Sequence, residues 1–250
     1  NTVSHALTSI RVYEDTRSNG CNSRSADGTC AVTENWSKGK GLSWDTVDTT
    51  IYNNILSSEE MPSDGDLWRY SAMLQITGDA NTDGSSAVYA NEMVTGIDYN
   101  VYYRQPTSNP STTVLWQYGS DRATQSVNAS SLSDFTSSPN VTVTGRDANG
   151  LDLQGARDAN PIVVREPADP TAWGDYDLRA ADGGPADGTG APLPQDVAGA
   201  LGLSAGTAVD RGALVNIAWG GGQGAPAGAP AAPAAATSAP ASAPAAAPAT

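Results

Sequence analysis

The sequence predicts an all-β, mainly antiparallel protein. The expected form is a β-sandwich, a jelly roll being one version, with one or two short helices and an extended C-terminal Ala/Pro tail. Three stretches carry this prediction. Trp68, Tyr70, Ala72, Leu74 and Ile76 alternate with Arg69, Ser71, Gln75 and Thr77, and Met73 alone breaks the pattern. Ile97, Tyr99, Val101 and Tyr103 alternate with Asp98, Asn100, Tyr102 and Arg104. Val114, Trp116 and Tyr118 give a shorter copy. A period of two is the signature of a strand with one dry face. Turn residues between such runs read as hairpin connections.

Taken in order, Leu7 to Tyr13 forms a short strand-like run. Cys21 and Cys30 then bracket an Asp-Gly turn. A bridge between them would add about 2–3 kcal/mol in an oxidising compartment. Two reduced thiols are the alternative in an intracellular assembly. Residues 43–57 give the best helix candidate: Ser43 or Asp45 as cap, and Val47, Ile51 and Ile55 on one face. Thr46, Thr49 and Thr50 weaken it, because β-branched residues lose rotamer freedom in a helix.

Asp79-x-Asn81-x-Asp83-Gly84 matches the opening of a calcium loop, so Asp79, Asn81 and Asp83 are the candidate metal ligands. The twelfth position is Ala90 where that loop needs a Glu, and strand-like runs flank it. An acidic hairpin turn is therefore the competing reading. No other cofactor is expected.

Farther on, Val141–Val143 and Ile162–Val164 read as strands. Trp173 and Tyr176 read as anchors of a Pro/Gly/Asp connection onto the core, and residues 194–203 as a short helix. Ala213 to Trp219 reads as a final strand. The predicted organisation is a β-rich domain over 1–219, then a Gly/Ala/Pro-rich arm or linker over 220–250. Such a run cannot bury a core and favours extended, polyproline-like structure.

The net charge of −14, with lysine only at 38 and 40, argues against a nucleic-acid partner and against acidic membranes. Asn1 reads as a processed or an artificially trimmed terminus. Gly202-Leu203-Ser204-Ala205-Gly206 matches a nucleophile-elbow pattern in the wrong context. A helix precedes it, a strand follows, and the one histidine, His5, lies near the opposite end.

No catalytic constellation emerges. The expected function is that of a non-enzymatic structural protein on the exterior of a large assembly, in first form a virion capsid or surface-decoration protein. The tail would serve as an assembly arm against copies of the chain or an underlying shell protein. A secreted cell-surface module (S-layer, pilus or adhesin) and a carbohydrate-binding module are the alternatives. The expected location is the virion surface or the extracellular space.

Overall fold

The computed structural model describes residues 1–6, 8–14, 45–58, 72–78, 88–105 and 112–213. All of them belong to one compact unit, Asn1–Asn216. The candidate disulfide Cys21–Cys30, the candidate calcium ligands Asp79, Asn81 and Asp83, the Trp68 and Tyr70 positions and the arm 220–250 lie outside the described residues.

The described residues are mostly β, and their pairing is largely parallel. β1 (Thr2–Ala6), β4 (Ile55–Ser58), β7 (Val101–Arg104) and β10 (Leu151–Gln154) stand side by side in one parallel sheet. β2 (Ile10–Glu14), β5 (Leu74–Gly78) and β8 (Val114–Gln117) form a second parallel run, closed by the antiparallel β9 (Ser126–Ala129). β3 (Thr49–Tyr52) and β6 (Val94–Asp98) pair in parallel as a third sheet, which Thr144 extends by a parallel bridge to Gly96. The chain visits the three sheets in rotation and then starts again one layer on. That circuit is the plan of a parallel β-helix, in which each rung rests on the one before.

This overturns the expected antiparallel sandwich. Alternation tells that a strand separates two environments; it does not tell which strand lies beside it. Several of the Asn- and Gly-containing turns that resemble hairpin connections are corners between sheets. Residues 97–104 are the clearest case. They are not one strand: Tyr99 takes a left-handed conformation with φ 60°, and the chain bends there from β6 into β7. The bend reverses the inside–outside assignment beyond it. Ile97 and Tyr102 belong to the interior cluster, whereas Val101 and Tyr103 belong to a second cluster.

The helix expected over 43–57 is likewise absent from its described part, which holds β3 and β4. Asn53, with φ 56°, makes the corner between them. Its β-branched content favours strands, and the apparent 3.6-residue period arises from two strands meeting at that corner. Val141–Val143 contributes no strand, only the adjacent bridge at Thr144. Residues 163–165 form β11, and the helix expected near 194–203 is present as α3 (Gln195–Ala200). The remaining short α-helices are α1 (Ala90–Met93) and α2 (Leu132–Ser137).

The interior holds Ile51, Leu56, Leu74, Ile76, Ile97, Tyr102, Val114 and Trp116. Trp116 meets Phe135 of α2 edge-on at 5.5 Å, and its indole N–H donates to Asn91 Oδ1 at 2.9 Å. The tryptophan thus buries its area without stranding its one donor. α2 is held by its first turn, where Ser131 Oγ accepts from the Asp134 amide at 3.1 Å and the Asp134 carboxylate accepts from the Ser131 amide. Ser131→Ala is expected to lower stability by about 1 kcal/mol, a loss that urea unfolding monitored by circular dichroism would measure.

The outer face of the first sheet is covered. Ile55, Val101, Tyr103, Leu151 and Leu153 alternate with the inward residues and pack with Ile162, Val163, Leu178, Ala180 and Ala186. These come from β11 (Val163–Arg165) and the residue before it, its antiparallel partner β12 (Asp177–Ala180) and the loop after β12. Parallel strands buried on both faces explain why β4, β5, β7 and β8 are buried at every position.

Candidate functional site

Two polar constructions stand on this frame. The first lies at the corner between the third sheet and the first. Asn1, Asn54, Asn100 and Asp147 occupy equivalent places in successive rungs, separated by 53, 46 and 47 residues. Asn1 Nδ2 donates to Asn54 Oδ1 at 2.8 Å, Asn54 Nδ2 to Asn100 Oδ1 at 2.7 Å, and Asn100 Nδ2 to Asp147 Oδ2 at 3.1 Å. The backbone repeats the pattern: the Asn54 amide donates to Asn100 Oδ1 and the Asn100 amide to Asp147 Oδ1. Each rung gives protons to the next, so the last member need only accept. A carboxylate suits that place.

Tyr102 donates its hydroxyl to the same carboxylate at 2.7 Å. Burial nevertheless pushes the Asp147 carboxyl up to about 6, against the pull of its hydrogen bonds and with a further push from Asp98. Burial and the neighbouring Asp147 hold the Tyr102 phenol well above its usual range. Gly145, Arg146 and Asp147 run with φ of 85°, 50° and 54°. A Cβ at Gly145 would stand 2.6 Å from the Ile97 carbonyl oxygen, so glycine is required there.

The second construction is a surface cleft of about 490 Å³ over the edge strand β1. Ser4 and His5 of β1 form one side, and Pro170, Thr171, Trp173, Tyr176 and Leu178 form the other. Glu166 pins the two sides together. It is buried and accepts from Ser4 Oγ on β1, from Ser57 Oγ on β4 at 3.0 Å and from Asn160 Nδ2 at 2.7 Å. His5 meets the Tyr176 ring edge-on at 5.6 Å, and Tyr176 lies 6.3 Å from Trp173 with planes tilted by 32°.

Trp173 is 81% exposed. The expectation that it anchors a loop onto the core is therefore wrong, whereas Tyr176 is half-buried against the cleft. The Pro-Thr-Ala turn and the 3-10 turn Trp173–Asp175 hold the indole out, because Asp169 accepts from both the amide and the hydroxyl of Thr171.

Of the other candidates that the sequence suggests, Ser204 lies in a turn-rich stretch after α3, flanked by Gly202 and Gly206 at positive φ. His5 stands on β1, in the cleft. Among the described residues, no group of three or more His, Cys, Asp or Glu is placed to hold a metal ion, and no helix is long and apolar enough to cross a membrane.

No protein-family model, no curated protein and no solved structure matches the chain.

Proposed function

We propose that the chain is a non-enzymatic β-helical module displayed on the exterior of a large assembly, a virion surface in the first reading. Residues 220–250 then act as an arm that clasps a further copy or an underlying shell protein. The observation that supports this best is the use made of the buried polar groups. Asn54, Asn100, Asp147 and Glu166 all tie rung to rung or cover to sheet. That arrangement makes a rigid scaffold, and rigid stacked rungs suit a part that must stand outside a particle. An arm without charge beyond Arg211 can lie in an apolar groove without stranding an ion. Its prolines reduce the entropy lost when it docks.

A cell-envelope module is the second reading, supported by the exposed indole of Trp173, a group suited to recognition at a surface. Truncation after Gly222 tests the arm. The truncated chain is expected to fold, with an unchanged unfolding midpoint, and to lose co-sedimentation with its native particle or envelope. Full co-sedimentation of the truncated chain would refute the arm.

A further inference from the structure

We propose that the cleft between β1 and the Trp173–Tyr176 turn binds a neutral saccharide, with the indole of Trp173 and the ring of Tyr176 stacked on the apolar faces of adjacent sugar rings. This deepens the reading of the chain as a surface module by naming what the surface would recognise.

Four observations carry it. The cleft has the volume of a small-molecule site, about 490 Å³. An indole that is 81% exposed leaves most of its apolar surface in water, and a ligand with a flat C–H face would cover it. The indole and phenol planes are tilted by only 32° with centroids 6.3 Å apart, so they form a stepped platform and do not close into a box. The lining is mixed: Pro170 and Leu178 are apolar, while the hydroxyls of Ser4 and Thr171, whose protons go to Glu166 and Asp169, keep oxygens able to accept from ring hydroxyls.

Charge points to a neutral ligand. Among the described residues, the cleft lining includes no carboxylate, lysine or arginine, and nearby Arg165 and Arg179 are paired with Asp175 at 3.7 Å and Asp177 at 2.6 Å. A quaternary ammonium group would instead ask for rings on several sides of a cage. Here, among the described residues, only His5 stands steeply to Tyr176, at 72°.

The experiment is calorimetric titration of the full chain with cellohexaose, maltohexaose, mannohexaose and N-acetylchitohexaose, and with tetramethylammonium as the cationic probe. One of the saccharides is expected to bind with one-to-one stoichiometry. Trp173→Ala should weaken it at least about tenfold, with circular dichroism and the unfolding midpoint unchanged. Tyr176→Phe, which keeps the ring, should retain most of the affinity.

Binding of none of the four saccharides, saccharide binding unaffected by Trp173→Ala, or binding of tetramethylammonium in their place would overturn the proposal. Failure here leaves the arm experiment untouched. Saccharide binding by a chain that joins no particle or envelope would count against the assembly reading and not against the cleft.

Discussion

Asn100→Ala is expected to cost about 4 kcal/mol or more, the largest single loss expected in the polar framework of the described residues. Asn100 is fully buried. Its oxygen accepts from the Asn54 amide at 3.2 Å and from Asn54 Nδ2 at 2.7 Å; its nitrogen donates to the Ile51 carbonyl at 3.0 Å and to Asp147 Oδ2 at 3.1 Å. Alanine leaves the Asn54 amide without that acceptor and takes one partner each from the Ile51 carbonyl, Asn54 Nδ2 and Asp147 Oδ2, in a place water does not reach; the last two keep the Tyr52 carbonyl and the Tyr102 hydroxyl. Each such orphan costs roughly 1–3 kcal/mol, and more for an ionised carboxylate. Asn140→Ala is the control, because Asn140 is exposed and a surface change of that kind stays within about 0.5 kcal/mol. Urea unfolding of the two variants measures the difference. A loss below about 1 kcal/mol for Asn100→Ala would mean the ladder does not bind the rungs.

The second large effect is a pH dependence centred on Asp147. Its folded-state value of about 6 lies above the roughly 3.9 of an unfolded aspartate. Between those values the folded protein holds a proton that the unfolded chain has released. Stability from this group is therefore fully present below about pH 4, falls as the pH rises through 4 to 6, and is level above about 6. The fall is on the order of 2–3 kcal/mol.

Asp147→Asn removes the titration and keeps a residue at ease with positive φ. It shifts stability by a constant, since an amide cannot accept from all of Asn100 and Tyr102 at once, but it should flatten the slope. The comparison matters because Asp121, Asp134, Asp169 and Asp177, held below the usual range chiefly by hydrogen bonds from Thr124, Ser130, Thr171 and Arg179 in turn, act in the opposite direction at lower pH. Equal slopes between about pH 4 and 6 in the two proteins would contradict the assignment.

Part of this is legible in the sequence. Tyr70, Leu74, Ile97, Tyr99, Val101, Val114 and Trp116 are expected in the core from their alternation; Tyr70 lies outside the described residues, Tyr99 is only partly buried, and the other five are buried. Strand content is readable because alternation and β-branched residues report local environment. Pairing is not, because two residues at one corner decide it. Tyr99 and Asn100 look like ordinary strand positions, and only the left-handed backbone at Tyr99 redirects the chain.

A self-comparison of the sequence exposes the rungs. Ile51-Tyr52-Asn53-Asn54-Ile55-Leu56 and Ile97-Asp98-Tyr99-Asn100-Val101-Tyr102 repeat apolar, two variable residues, asparagine and two apolar residues, 46 residues apart. The spacing of 53 to the Asn1 rung and the Asp at 147 blur the repeat elsewhere. The cleft is hidden for another reason. His5 and Trp173 are brought together by β1 lying beside the cover, a long-range pairing with no local signature.

The most direct test of the stacked-rung account is the pattern of interstrand proton contacts around β7 in an NMR spectrum of the labelled protein. The account predicts that Val101 lies between Ile55 and Leu151, and Tyr103 between Ser57 and Leu153, all running the same way. Contacts that instead fold β7 back on β6 as a hairpin, with Ile97 opposite Tyr102, would contradict it.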